Sequence, residues 1–324
     1  MSADDDQTTG QIAAPGGFSL VAAWRATSRC WHEFFHLPRD TRVCAAVRIA
    51  FAALTLLNLA VLYPDLDLWY TEQGILPAAA SKQIGPPLGW SLLWHLPGTS
   101  AVVHTCFWIL VGHTVLLLVG LLSRFNAAGV LLWLMSFQNR NVQILDGEDF
   151  VFRLMALFLV LMPCGASWAV DAWLWRRWRG GDASPSHLAP AWGLRLLQIQ
   201  MAVIFLSAGL HKLGTEAWFD GTALYYVSRL DDYFGKFPVP TWVFDTPWMV
   251  ALLTSAVVLG ELLVPVFIWF RETRRTALAV AVLFHLGNEW TMHLFLFHWI
   301  MLAGWLSFVE PGDFAWLRRR RSGH

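Results

Sequence analysis

The chain has 324 residues, of which 56% are hydrophobic and only 14% charged, with a mean hydropathy of +0.47. A soluble domain carries about 25% charged residues, so these proportions exclude an ordinary soluble globule, and the apolar and aromatic content excludes a solvated coil. The 23 basic and 23 acidic side chains cancel, which leaves no overall field to attract nucleic acid, while 20 tryptophans suit a chain that places rings where hydrocarbon meets water.

Read from the N-terminus, Met1 to Gly17 is acidic and then Ala/Gly-rich. It lacks the basic start and apolar run of a signal peptide, so the first hydrophobic span is expected to serve as its own insertion signal. Residues 1–30 read as a disordered, interfacial leader, with Trp24 to Phe35 amphipathic and lying on the inner surface. A bilayer core of about 30 Å needs roughly 20 helical residues, and eight candidate spans follow: Val43–Tyr63, Ala101–Leu122, Phe125–Leu145, Phe150–Val170, Trp192–Leu210, Trp248–Phe270, Thr276–His293 and Leu294–Val309. The expected class is therefore all-α, a polytopic helical membrane protein with about eight transmembrane helices.

Arginines set the orientation. Arg25, Arg29, Arg39, Arg42 and Arg48 precede or enter span one, Arg124 follows span two, Arg176, Arg177 and Arg179 follow span four, Arg271, Arg274 and Arg275 follow span six, and Arg318 to Arg321 close the chain. With eight spans all of these fall on one side, which the positive-inside rule makes cytoplasmic; seven spans would send Arg318 to Arg321 outside. Residues 31–310 then form the membrane domain and 311–324 a basic cytoplasmic tail, in a bacterial inner membrane with both termini cytoplasmic. The reversal between the last two spans is expected near Gly287-Asn288. Lys212 to Pro247, rich in aromatics and aspartates, reads as an interfacial cap. Cys30, Cys44, Cys106 and Cys164 are widely spaced thiols that suggest neither zinc nor a disulfide framework. No internal repeat is visible, which disfavours an inverted-repeat transporter.

Polar residues inside spans carry the functional signal, because an ionisable group at the bilayer centre costs at least about 2.5 to 3.5 kcal/mol. Asn139-Arg140-Asn141 precedes Asp146, Glu148 and Asp149, with Arg153 on the helical face of Asp149; the group is either an outer polar site or a capping turn in which Asp149 neutralises Arg153. Gln200, Ser207 and His211 form one stripe, with Gln198 nearby, and read as interhelical hydrogen bonding or a site. Lys212 is turned away from that stripe and either snorkels to water or, held beneath an apolar cap, acts as a general base. His285, Asn288, Glu289 and His293 line one edge of span seven. They lack an HExxH order, so no metal is expected, and proton relay or quinone hydrogen bonding suits them better. Glu261, in mid-span, needs a partner, for which Arg153, His285 and Lys212 are the candidates.

Taken in order, five motifs resemble those of the HTTM family, the membrane domain shared with vitamin K-dependent gamma-glutamyl carboxylase. They are Phe34-Phe35 with Pro38 and Asp40; Trp69 to Pro77; Asn139-Arg140-Asn141 with Asp146 to Asp149; Gly209-Leu210-His211-Lys212-Leu213 with Trp218, Asp220-Gly221 and Tyr225-Tyr226; and Phe284-His285 with Asn288. The resemblance implies a vitamin K-like quinol as cofactor and a lysine, matched by Lys212, that deprotonates it so that reaction with oxygen yields a base for carboxylation. His285 is implied as a second catalytic residue, with His211, Asn288, Asp149, Arg153 and Glu261 around the cofactor. Two departures separate the chain from the carboxylase: Glu148, Asp149 and Phe150 stand where that enzyme carries a histidine, and no large lumenal domain follows the last span. The expected function is a quinol-using, carboxylase-like membrane enzyme (a carbon-carbon lyase); the alternative is a non-catalytic lipid- or quinone-binding or accessory module. Expected partners are membrane lipids, a quinone and a membrane or periplasmic protein, with no nucleic acid.

Overall fold

The computed structural model describes residues 20–85, 89–178 and 187–314. The leader as far as residue 19, Arg179 and Arg318 to Arg321 lie outside the described residues. Nine helices carry the architecture: α1 (Leu20–His36), α2 (Thr41–Leu62), α3 (Ser100–Val119), α4 (Ser123–Arg140), α5 (Gly147–Leu161), α6 (Trp192–Leu213), α7 (Pro247–Phe267), α8 (Arg274–Thr291) and α9 (Phe297–Trp305). Shorter helical turns fill the connections, and two three-residue strands, β1 (Pro38–Asp40) and β2 (Leu188–Pro190), pair antiparallel.

Local chemistry sets the ends of these helices. Asp40 accepts the Arg42 N–H at 2.9 Å and caps α2. Gly120, at φ +74°, closes α3 in the left-handed conformation that a side chain disfavours. The Asp171 carboxylate receives the N–H groups of Leu122 and Ser123 at 2.7 and 2.8 Å and so caps α4, while Pro247 starts α7 at a position where a missing N–H costs nothing. Span boundaries move accordingly. The third expected span stops at Arg140 because Asn141 turns extended, and the fourth runs from Gly147 only to Leu161 because Met162 precedes a proline. The closing apolar stretch is two helices, with the reversal at residues 292–296 rather than at Gly287-Asn288, which lies inside α8.

Four helical stretches, Thr41–Tyr70, Ser100–Val119, Trp192–Leu213 and Pro247–Phe267, are long and apolar enough to cross a membrane, and Phe297–Phe308 is a shorter apolar helix. α2 packs on α3, α3 on α4, α4 on α5 and α5 back on α2; α6 to α9 close a second ring in the same way. The two rings meet where α9 lies against α2 and α5, and α5 against α6. The core at their junction includes Phe51, Phe152, Met155, Leu159, Ile300 and Trp305, all buried. Outward faces stay apolar, as with Trp108, Ile109 and Val115 on α3 and Leu252, Leu259 and Leu263 on α7. Helices that are apolar on both faces belong in hydrocarbon, and the chain is an all-α integral membrane protein. Successive helices run antiparallel, so the starts of α2, α6 and α8 share an arginine-rich end and the ends of α4, α6 and α8 share the opposite one.

Candidate functional site

At the end opposite the arginines, the polar triplet finishing α4 is spent on main chain. Asn139 Nδ2 donates to the Trp90 carbonyl at 2.7 Å, Arg140 Nη1 to Leu76 at 2.7 Å and Asn141 Nδ2 to Trp69 at 3.1 Å. Three side chains thereby satisfy carbonyls that hydrocarbon would leave bare, and they pin the Trp69–Pro77 motif to the bundle. Asp149 receives the Asp146 N–H at 2.9 Å, the return bond of a capping box. It does not bond Arg153 directly: Gln138 joins them, its Nε2 donating to Asp149 Oδ1 at 3.2 Å and its Oε1 accepting from Arg153 Nε at 2.8 Å. Asp149 thus caps α5, and its link to Arg153 runs through the neutral Gln138 amide instead of a direct ion pair. Beside this turn lies a cavity of about 350 Å³ lined by Asn58, Asp65, Tyr70, Gln138, Glu148 and Asp149.

Lys212 and Glu261 form an ion pair between α6 and α7. Lys212 Nζ lies 2.7 Å from both carboxylate oxygens of Glu261, whose side chain is 6% exposed against 21% for the lysine. Gly209 permits this approach, since a Cβ there would sit 2.9 Å from Leu262 Cδ2 and 3.1 Å from Glu261 Cβ; a small residue lets two helix backbones come close. Glu261 stands fourteen residues after Pro247 and six before Phe267, and the half-buried lysine, in the last turn of α6, turns to it. Trp218, in the cap, places its ring centroid 5.1 Å from Nζ. Of the three candidate partners for Glu261, the geometry selects Lys212.

The neighbouring stripe behaves otherwise. Ser207 and His211 are exposed, Gln200 is half-buried, and Ser207 Oγ bonds the Ile204 carbonyl of its own helix at 3.0 Å. The inward face of α6 carries the buried Gln198 and Phe205 and the half-buried Lys212 at heptad spacing, and Gln198 Nε2 makes the interhelical bond, to the Ser307 carbonyl at 2.6 Å.

His285 belongs to a separate group at the α8–α9 contact. Its Nε2 accepts from Trp305 Nε1 at 3.3 Å and its Nδ1 lies 3.2 Å from His298 Nδ1; both histidines are buried, and Phe205 packs its ring 5.3 Å from that of His285. An accepting Nε2 leaves the His285 proton on Nδ1, which makes His298 Nδ1 an acceptor and puts the second proton on His298 Nε2, buried and without a partner among the described residues. The expected polar edge of α8 divides: Asn288 is half-buried one turn from His285, Glu289 pairs with Lys236 of the cap, and the His293 N–H donates to Tyr233. Among the described residues no group of three His, Cys, Asp or Glu is placed to hold a metal ion. His298, Trp305 and Gln138 escape a sequence reading because each becomes a partner only once the α8–α9 reversal or the α4–α5 turn is fixed.

The HTTM domain model matches residues 88–313, more than two thirds of the chain, and includes the polar turn, Lys212, Glu261 and His285, while the motifs before residue 88 lie outside it. The chain is 24% identical over 295 residues to the uncharacterized protein YitO of Bacillus subtilis (strain 168), covering 86% of this chain and 90% of that one. It is 24% identical over 122 residues to the sporulation-delaying protein SdpB of the same organism, covering 36% and 38% of the two chains. No solved structure matches. With the family model covering α3 to α9, including the motif that carries Lys212, the chain belongs to the HTTM family.

Proposed function

We propose that this chain is a quinol-using membrane enzyme of the carboxylase-like class, with Lys212 as its general base and Glu261 as the group that takes up and returns the base's proton. The observation that carries the reading is the pair itself, Nζ at 2.7 Å from both oxygens of a carboxylate in the lower half of α7, beneath an indole ring. A free amine is needed to accept a proton, and in low dielectric both charges of an ion pair pay desolvation. One proton moved from Nζ to Glu261 leaves a neutral amine beside a neutral acid and strands no charge.

The residues present fit a hydroquinone: a donor–acceptor pair for a phenolic hydroxyl, an aromatic face at Trp218, and a lysine exposed enough to be reached. Bound there, a quinol would supply an acidic hydroxyl and reducing electrons. With the pair in its neutral form, Lys212 Nζ would accept the hydroxyl proton while Glu261 keeps the proton it took from Nζ, and the cap from Glu216 to Asp245 would limit water around the amine. His285, first grouped with Lys212, has both ring nitrogens engaged elsewhere and enters only by holding α8 on α9. The arginine distribution supports a bacterial inner membrane with the arginine-rich end cytoplasmic.

Native mass spectrometry of the purified protein is expected to show a co-purifying quinone, and Glu261→Gln to move the alkaline or acid limb of the rate–pH profile while retaining binding. A wild-type protein that neither carries quinone nor binds added menaquinone, ubiquinone or vitamin K would end the proposal. A second reading, a non-catalytic lipid- or quinone-binding or accessory module, draws on the same ion pair, which also ties α6 to α7; it predicts that Glu261→Gln changes stability alone.

A further inference from the structure

At the arginine-rich end a cavity of about 330 Å³ is lined by four guanidinium groups, Arg39, Arg195, Arg271 and Arg274, but by a single carboxylate, Glu310. The fold assembles them from three places: β1, paired to β2, sets Arg39 beside the first turn of α6 that carries Arg195, and the α7–α8 turn brings Arg271 and Arg274. Glu310 is already committed, to Arg39 at 3.0 Å and Arg274 at 2.6 Å. Arg274 also reaches Asp313 at 3.0 Å.

Arg195 is left with neutral partners. Its Nε donates to the Phe34 carbonyl at 3.2 Å and its Nη1 to Gln198 Oε1 at 2.8 Å, and the guanidinium lies 4.5 Å from the Phe34 ring centroid and 6.0 Å from that of Trp269. Among the described residues no carboxylate lies within ion-pair distance of Arg195 or Arg271. A stacked, half-buried guanidinium with N–H groups to spare, lining one aromatic-walled cavity with Arg271 and with no carboxylate there but the committed Glu310, is an anion receptor, because low-dielectric walls concentrate the field and the planar fork matches a tetrahedral oxyanion.

We propose that this cavity binds a phosphate group, with Arg195 and Arg271 as its principal ligands. The phosphate comes either from the headgroup of an anionic phospholipid, which the position at the end of a membrane bundle would present, or from free phosphate. The site is independent of the Lys212 reading and lies at the other end of α6.

The test uses the full-length protein in detergent. Native mass spectra are taken after addition of phosphatidylglycerol or phosphatidylcholine, and tryptophan-fluorescence melting is followed with inorganic phosphate or chloride at equal ionic strength. Arg271→Ala removes an exposed rim residue and should leave the fold intact; Arg124→Ala, an arginine that does not line the cavity, is the control. Retained phosphatidylglycerol that weakens at least tenfold in Arg271→Ala but not in Arg124→Ala supports the site with a lipid source. Stabilisation by phosphate over chloride, lost in Arg271→Ala without a lipid adduct, supports it with free phosphate. Binding that is absent from the wild type, or equal in wild type and Arg271→Ala, overturns it.

Discussion

Individual residues in this protein earn their places through main-chain chemistry. Arg48, fully buried in α2, donates to the carbonyls of Cys164 and Trp168 at 2.6 and 2.5 Å and so holds the loop that follows α5. Gly120 sits against that loop: a Cβ would meet Ala169 Cβ at 2.5 Å and Arg48 Nη1 at 2.6 Å. Gly120→Ala combines this crowding with a left-handed backbone, and its melting temperature should fall by an amount equivalent to about 1–3 kcal/mol; an unchanged melting curve would show that the loop yields freely. Asp40→Ala removes the α2 cap and should cost about 1 kcal/mol, read in the same assay. Charge is legible at this scale only in part. That Glu261 needs a partner follows from burial, but the choice among Arg153, His285 and Lys212 depends on the α6–α7 contact that Gly209 permits.

Helices raise a different question, which face turns inward. α6 is apolar nearly all round, so hydropathy gives no face, and the polar stripe of Gln200, Ser207 and His211 is the more conspicuous one in sequence. The inward stripe is the buried Gln198 and Phe205 with the half-buried Lys212, because interior positions in a membrane bundle go to groups that find partners on adjacent helices. Gln198→Leu should therefore destabilise, leaving Arg195 Nη1 and the Ser307 carbonyl unpaired at a cost of about 1–3 kcal/mol, while Ser207→Leu on the outer stripe should be neutral or better in thermal melts. Helix existence was readable from eight apolar runs, and ends were not, since Asn141, Met162 and residues 292–296 terminate helices by backbone geometry inside hydrophobic sequence.

Across the whole molecule, charge separates into two ends. The arginine-rich end closes with Asp313 between Arg274 and Arg275, each at 3.0 Å. Burial alone would raise the Asp313 carboxyl, but the Glu310 N–H and the two arginines outweigh it and hold the group below the ordinary carboxylate range. A depressed folded value contributes stability above the unfolded pKa of about 3.9 and loses it as pH falls through the folded value. The end should thus loosen only below about pH 4, and Asp313→Asn should lower the melting temperature at pH 7 while flattening its acid dependence. The opposite half holds Lys212, and the account rests most heavily on that residue. The most direct measurement is oxidation of added quinol by the purified protein, wild type beside Lys212→Ala, with melting temperature recorded for both. General-base catalysis is worth about 10²–10⁴-fold, so the account predicts turnover by the wild type, a loss of that size in the variant and similar melting temperatures; equal turnover in the two proteins, or none in the wild type, would contradict it.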